Sequence, residues 1–485
     1  MESWDVLIIG AGPAALRSAI SCADEGITAL VIDSSGIGSA SGYAPISGLA
    51  ASIDEISAKS HTEDTIQFGG EHTNPDSAAR ICRESVPVLS ELERWGLNFR
   101  RREGGLPLAS DVPGHSVPRL TGCGDSTVRE ITRILEEQVI KRGVHRRADI
   151  LPVELVVDNY QIRGVTVLNI QTGEIYSIQS KTVILATEGY QGLWSSINDG
   201  DASGLALAKK CGIRLKGMQK IPKHPLTIKG YNIHIPVDVL GSGGRIRKET
   251  GEDIGFDEIF SGDSCVLDLR EIENNSRDWF YQTASRIKDR IGINIFKEVI
   301  PITFGIAKTT GGIPSDELGR AIFDGHTPEG LPSKLWLTGL YSAGRCSYNG
   351  MHGTNILPGN LILDDLVSGR EAGKNAAIWG KNAEYGGSKL LEKSEKSSIK
   401  KIEDLFSNKE GKTVGQLSDK LTKIFSNLNG NFDPAIFETL KNSIQEIKND
   451  NIRIIDKSLA MNTELTSAIK LEGLIAIAES ICSPG

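Results

Sequence analysis

The chain has 485 residues, of which 39% are hydrophobic and 24% are charged. This composition is typical of a globular protein with two or three domains, and it excludes global disorder. The net charge of −8 argues against nucleic acid as a partner, and no apolar run approaches the roughly 20 residues needed to span a bilayer.

Seven cysteines are scattered singly along the chain, without a Cys-x-x-Cys pair. Their spacing offers neither a zinc site nor an iron–sulfur cluster, so we expect no metal. Unpaired thiols suit a reducing compartment, and we expect a cytoplasmic protein. If electrons leave it through iron–sulfur centres, those centres belong to another chain.

The first 33 residues predict a strand, a glycine turn, a helix and a second strand. In the turn, Gly10 permits the tight bend and Gly12 lets the backbone approach a pyrophosphate, which the helix N-terminus favours. Asp33 ends the second strand about 20 residues later, where a carboxylate can accept hydrogen bonds from ribose hydroxyls. This unit predicts a dinucleotide site for either NAD or FAD, formed by Gly10, Gly12, Pro13, Ala14, Asp33 and Ser34.

The middle of the chain continues the α/β pattern. Residues 36–51 are rich in Gly, Ser and Ala, as in a loop that lies against a ligand. Helices are predicted over 74–95 and 126–141. Alternating strands follow over 151–187 and close on an apolar strand that we expect to return to the N-terminal sheet.

The second half of the chain has three successive segments that differ in composition and predicted secondary structure. Residues 224–300 are mixed and predict an inserted domain. Residues 301–385 return to strands and glycine turns and end in a helix, while 386–485 have the composition of a small helical domain. We therefore predict domains at 1–223, 224–300, 301–385 and 386–485, with the first and third forming one unit.

Three later glycine-rich segments favour a long cofactor: Ser39–Ala51, Thr182–Tyr190 and Gly339–Asp364. In their order, residues 5–373 resemble the flavoprotein subunits of succinate dehydrogenase and fumarate reductase and their soluble relative L-aspartate oxidase. Val-Ile-Leu-Ala-Thr-Glu-Gly-Tyr resembles the family's Ala-Thr-Gly-Gly strand end, with Glu188 where glycine is usual. His224-Pro225 resembles its His-Pro-Thr segment, and His352-Gly353-Thr354-Asn355 resembles its last FAD-binding stretch.

The resemblance implies an α/β fold, in which a Rossmann-like FAD-binding domain is interrupted by an α+β capping domain and followed by a helical domain. The family's covalent flavin-binding histidine falls on Ser41, which implies non-covalent FAD. Beyond the six residues of the N-terminal unit, the expected cofactor contacts are Ser41, Gly42, Gly48, Ala186, Thr187, Glu188, Gly189, Asp201, Gly344, Arg345, Asn355 and Asn360.

The substrate residues of the family are altered. Its carboxylate-binding arginine falls on Ile356, and isoleucine cannot replace a guanidinium in bidentate recognition. Its histidine before Gly-Gly falls on Ala307, and Lys308 replaces an aromatic residue. Its Thr-Glu and Arg-Gly-Glu-Gly runs have become Pro-Val and Leu-Gly-Ser-Gly. The groups that hold a four-carbon dicarboxylate are thus missing or changed, while the flavin motifs remain.

Other polar residues suit an anionic substrate or the polarisation of a carbonyl beside the flavin: His115, Arg119, His224, Arg245, Arg247, Lys308, Arg345 and His352. We take His352, His224, Arg119 and Lys308 as candidate catalytic residues, with either histidine as a proton donor. The alternatives are structural. Arg245 and Arg247 alternate as on a solvated strand face, and a histidine is more often a hydrogen-bonded structural residue.

The leading hypothesis is an FAD-dependent oxidoreductase that moves hydride between flavin N5 and a small organic acid or related anion. The alternative is an FAD subunit that relays electrons or acts as a scaffold in a larger redox complex, with an iron–sulfur or other electron-transfer protein as partner. Such a subunit could lie at the periphery of a membrane complex. A flavin-free structural relative is the third possibility.

Overall fold

The computed structural model describes residues 2–36, 46–51, 55–261, 264–326, 329–428, 430, 432 and 434–482. The strands, in chain order, are β1 Glu2–Ile9, β2 Ala29–Ile32, β3 Leu49–Ala50, β4 Leu120–Thr121, β5 His145–Arg147, β6 Ile150–Asp158, β7 Gln161–Asn169, β8 Ile175–Leu185, β9 His224–Ile228, β10 Arg245–Lys248, β11 Cys265–Asp268, β12 Ile300–Gly305, β13 Ile313–Pro314, β14 Arg320–His326, β15 Pro332–Ser342 and β16 Ser347–Tyr348.

The α-helices are α1 Pro13–Asp24, α2 Glu55–Gly69, α3 Pro75–Arg83, α4 Ser85–Arg94, α5 Thr127–Lys141, α6 Ser203–Lys210, α7 Asp238–Gly241, α8 Asn274–Arg277, α9 Tyr281–Ile291, α10 Asn360–Asn382, α11 Ser388–Ser407, α12 Val414–Ser426, α13 Pro434–Asn449 and α14 Thr463–Ile481. No helix in the described parts of the chain is long and apolar enough to cross a membrane.

An eight-stranded sheet, the central sheet, forms the middle of the molecule. Its order is β14-β15-β7-β8-β1-β2-β5, and β6 pairs with β7. β1 runs parallel to both β2 and β8, so the apolar strand that ends at Leu185 does return to the N-terminal strand. Val6 and Ile8 pack in one core with α1, α5 and α10, while Leu7 and Ile9 pack in a second core with α6 and the C-terminal helices. Both faces are covered, which explains the unbroken apolar run of β1.

A second, antiparallel sheet has the order β10-β11-β12-β9. Together with α7, α8 and α9 it forms a core of its own, from Leu226 to Ile302. Arg245 and Arg247 lie on β10, where they form ion pairs with Asp253. The chain enters this unit at β9 and leaves it at β12, and these two strands pair with each other.

The predicted helix over 74–95 is instead two helices, α3 and α4, with a break at Glu84. Pro87 explains the break, because proline lacks an amide hydrogen and its ring clashes with the carbonyl group four residues earlier. The predicted helix over 126–141 is confirmed as α5. The last four helices form the C-terminal helical region, and α14 packs against α6.

Candidate active site

The glycine turn after β1 forms a cradle at the end of the central sheet. Gly10 has a φ of +121°, and a Cβ atom added there would lie 2.2 Å from the carbonyl oxygen of Ala186. Gly344 has a φ of +65°, and its added Cβ would lie 2.6 Å from the Cβ of Ala14. Backbone of β1, β8 and the segment after β15 therefore meets closely beside the N-terminus of α1, where an anion is favoured.

A cavity of about 200 Å³, the dinucleotide cavity, opens over this cradle. Most of the expected cofactor residues line it: Gly10, Gly12, Pro13, Ala14, Asp33, Ser34, Ala186, Thr187, Glu188, Asp201 and Arg345. The cavity also includes Asp365 and Lys470, which no sequence motif indicated.

Asp33 and Asp201 are two of the acidic residues that line this cavity. Burial raises the pKa of Asp33, although the amide of Ser35 donates a 2.8 Å hydrogen bond to its carboxylate. Lys470 reaches the cavity from α14, and its Nζ atom lies 3.1 Å from Asp201 Oδ2. The two carboxylates can accept hydrogen bonds from ribose hydroxyls, and the cation of Lys470 can pair with a diphosphate.

Glu188 belongs to a chain of ion pairs in which it is itself half-buried. Its Oε2 atom lies 3.2 Å from Lys308 Nζ, and its Oε1 atom lies 3.5 Å from Arg345 Nη1. Arg345 also pairs with Asp365 at 3.0 Å. Burial lowers the pKa of Lys308 despite the carboxylate beside it. Two positions where this chain departs from the family it resembles, Glu188 and Lys308, are thus direct partners.

A larger cavity of about 720 Å³, the central cavity, lies between α2, the segment before α10 and the second sheet. Its wall includes three of the altered family positions, which are now apolar or small: Val237, Ala307 and Ile356. Its polar groups include Asp64, His115, Lys223, His224, Lys308 and Asn355. The cavity can therefore hold an organic molecule that is partly apolar.

His224 is a neutral imidazole at the start of β9. Its Nε2 atom lies 2.7 Å from the carbonyl oxygen of Ile235, so Nε2 carries the proton and Nδ1 is an acceptor. Burial lowers the pKa of His224 to about 4. The ring of His234 lies 5.4 Å away, centroid to centroid. At neutral pH the ring is therefore uncharged.

Arg119 lies behind the central cavity. Its side chain is fully buried, pairs with Asp64, and donates 2.8 Å hydrogen bonds to His115 Nδ1 and Ser60 Oγ. Asp64 and His115 line the cavity, while Arg119 does not. Burial, and then the charge of Arg119, lowers the pKa of His115 to about 3.

The structure also places the remaining predicted residues. His352 Nε2 lies 3.4 Å from Asp364 Oδ2 without hydrogen-bond alignment, outside the residues that line the central cavity. Asn360 is fully buried, and its side-chain oxygen lies 2.7 Å from His61 Nε2. Gly48 and Gly189 are close-packed positions, because an added Cβ would lie 2.6 Å from Leu120 Cγ and 2.3 Å from Thr309 Oγ1 respectively. Ser41 and Gly42 lie outside the described residues.

Two residues missed by sequence reasoning differ in how they could have been found. Asp365 comes directly after the last glycine-rich segment and lies in the first turns of α10, where it pairs with Arg345. Its place beside that segment is the signal that could have indicated it. No local sequence pattern indicates Lys470, because it lies 269 positions after its partner Asp201 in the chain.

The cradle, the acidic groups that line the dinucleotide cavity and the central cavity, which is linked to it by the Glu188–Lys308 ion pair, define a dinucleotide-dependent oxidoreductase. A family model described as FAD binding domain matches residues 5–265, which is more than half of the chain. The chain is 24% identical to the succinate dehydrogenase flavoprotein subunit of Rickettsia bellii, over 98% of this chain and 86% of the relative. It is 28% identical to an uncharacterized FAD-dependent oxidoreductase of Methanocaldococcus jannaschii, over 87% of this chain and 80% of the relative.

Among solved structures, the FrdA subunit of E. coli quinol fumarate reductase matches the fold with a TM-score of 0.89 at 22% identity, over 99% of this chain and 89% of that one. The chain belongs to the FAD binding domain family, and it is a divergent FAD-dependent oxidoreductase of the fumarate reductase and succinate dehydrogenase flavoprotein type. The predicted fold class and the FAD cofactor are confirmed. Non-covalent attachment stays a prediction, because it depends on Ser41.

Proposed function

We propose that this oxidoreductase desaturates, or in reverse reduces, a carbon–carbon bond next to a carboxylate or carbonyl group of a small organic anion. FAD, held by the dinucleotide cavity, supplies the hydride acceptor or donor. The observation that carries the proposal is the central cavity, which is of ligand size and is linked to the dinucleotide cavity by the ion pair between Lys308, which lines the first, and Glu188, which lines the second.

Lys308 is the residue that we propose to orient the substrate anion. Its side chain is largely buried in the wall of the central cavity, where a charge acts through a less polar medium than water. Glu188 compensates that charge and fixes the side chain. A substrate carboxylate beside Lys308 would then compete with Glu188 for the ammonium group, which is already held in position.

Two histidines have different proposed roles. The Nδ1 atom of His224, as the acceptor side of an uncharged ring, would take the substrate proton during desaturation, while the hydride on the neighbouring carbon would pass to FAD and the double bond would form. We retain His352 as a positioning residue, because it precedes the Gly353–Ile356 loop that reaches the cavity. Arg119 is likewise a proposed positioning residue, since it fixes Asp64 and His115 in the cavity wall.

The test is an anaerobic titration of the purified protein with succinate, L-aspartate and a panel of larger organic acids. Oxidised flavin absorbs near ~450 nm, and this band is lost on reduction of the cofactor. Bleaching by one acid is the expected result. Bleaching by dithionite and by no acid would contradict the proposal.

A second function is favoured by one specific observation, the apolar residues Val237, Ala307 and Ile356 at positions where the resembled family carries polar substrate groups. Under this proposal the chain relays electrons between its FAD and an iron–sulfur or other electron-transfer protein. Several relatives are named flavoprotein subunits. A cytoplasmic location, free or at the periphery of a membrane complex, belongs to the same proposal. Flavin reduction by a reduced ferredoxin-type protein, with no response to any acid, would support it.

A further inference from the structure

A third cavity of about 840 Å³, the outer cavity, lies on the other side of Ala307 and Lys308. Its wall is formed by the chain from Glu188 to Asp199, the turn after β9, and the α9 helix of the second sheet. Ala307 and Lys308 are the two residues that line both the central and the outer cavity. They form the partition between them.

In this partition Ala307 carries a single methyl group where the resembled family carries histidine. An imidazole at this position would occupy space that is open here. The other residue of the partition, Lys308, has its Nζ atom 3.2 Å from Glu188. A ligand that reaches both cavities would therefore pass Ala307 and Lys308.

The outer cavity presents two guanidinium groups from α9. Arg286 and Arg290 are four positions apart, so they lie on one face of the helix, and both line the cavity. Burial, followed by the like charge of Arg290, lowers the pKa of Arg286 to about 10. Two neighbouring cations at a cavity wall are destabilised by each other, and a bound anion relieves this repulsion.

We propose that the substrate is a dianionic acid longer than a four-carbon dicarboxylate, whose chain passes Ala307 and ends in a carboxylate or phosphate group at Arg286 and Arg290. Its reacting end lies in the central cavity against Val237 and Ile356, which accommodate methylene groups. This inference rests on the proposed function, and it names the substrate class of the same site.

The experiment measures dissociation constants of the holoprotein for succinate, adipate, suberate and sebacate from ligand-induced changes in the flavin spectrum. The wild-type protein is expected to bind the longer diacids at least tenfold more tightly than succinate. It should also prefer a long diacid to the monoacid of equal length, because only the diacid places an anion at Arg286 and Arg290.

Three variants locate the chain of the ligand. Ala307→His should weaken binding of the longest preferred diacid about tenfold more than binding of succinate, because the imidazole fills the partition. Arg290→Met should weaken the diacid about tenfold and leave the monoacid of equal length unchanged. Lys288→Met is the matched control, since it removes an exposed cation of α9 that does not line the cavity.

Equal affinity for all chain lengths, tightest binding of succinate, or no binding of any diacid would overturn the inference. The wild-type series decides between these outcomes even if a variant fails to fold. The two proposals fail separately. A length preference without flavin reduction contradicts hydride transfer, whereas reduction by succinate with weak binding of longer acids contradicts only the long substrate.

Discussion

At the scale of single residues, the flavin cradle depends on positions where no side chain fits. Gly10 combines a left-handed φ with a close approach to Ala186, and both restrict it to glycine. The neighbouring charges are equally constrained. Glu188 is half-buried and holds Lys308 and Arg345, whose side chains are largely buried, so the three side chains act as one unit.

Gly10→Ala is expected to abolish FAD retention, because its methyl group would collide with the Ala186 carbonyl oxygen and displace the backbone. The ratio of FAD to protein after gel filtration measures this. Gly26→Ala is the control: Gly26 also has a positive φ, of +72°, but nothing lies within 4 Å of its added Cβ. The control should cost about 1 kcal/mol of unfolding free energy from backbone strain and keep its FAD. Equal loss of FAD in both variants would contradict the clash.

Glu188→Gln should destabilise the protein by about 3 kcal/mol, since it leaves Lys308 and Arg345 with less compensation in a buried site. Adding Lys308→Met to that variant should recover part of the loss, which a double-mutant cycle from urea unfolding would measure. Additive effects of the two substitutions would show that the Glu188–Lys308 contact contributes nothing.

At the scale of elements, the site is assembled from segments that are distant in the chain. β1 and α1 supply the cradle, α10 begins at the edge of the central cavity, and α14 brings Lys470 to Asp201. The C-terminal helical region thus completes the dinucleotide cavity as well as covering one face of the central sheet.

Lys470→Met is expected to raise the dissociation constant of FAD about tenfold, because a cation beside the dinucleotide is lost. Titration of apoprotein with FAD and with ADP should show the same change for both, whereas FMN binding should change little. Lys401→Met serves as the control, because Lys401 of α11 pairs with another residue of α14. Its Nζ atom lies 2.5 Å from Glu472 Oε2. Equal FAD affinity in both variants would place Lys470 outside the cofactor site.

At the scale of the whole molecule, acid should destabilise the fold through its buried histidines. Burial lowers the pKa of His61 and His224 from 6.5 to about 4, and that of His234 to about 3. The unfolded chain takes up these protons near pH 6.5 and the folded protein does not, so unfolding becomes easier as pH falls from about 6.5 to 4. Each histidine contributes up to about 1.4 kcal/mol per pH unit in this window.

Urea unfolding of the wild type and His61→Gln between pH 7 and 5 isolates one of these contributions, because buried acids with raised pKa values affect both proteins equally. The wild type should lose more unfolding free energy than the variant as the pH is lowered. Parallel curves would mean that His61 takes up its proton equally readily in both states.

The features that sequence reasoning predicted are local or motif-based. The N-terminal strand–turn–helix–strand unit lies within 33 residues, and its turn needs glycine because no side chain fits there. Pro87 is also local, yet the apolar periodicity across it hid the break between α3 and α4. The Lys470–Asp201 pair, the Glu188–Lys308 pair and the proximity of Ala307 to two cavities arise from tertiary packing, which no local pattern encodes.

Hydride exchange between this flavoprotein and an organic acid is open to a direct kinetic test. Anaerobic stopped-flow mixing would combine the oxidised protein with saturated acids, and the dithionite-reduced protein with their unsaturated counterparts. We expect the flavin absorbance to fall with one saturated acid or to recover with its unsaturated partner, at a rate that depends on the acid concentration. A flavin that responds to dithionite and to protein electron donors, and to no acid in either direction, would rule out hydride exchange with an acid.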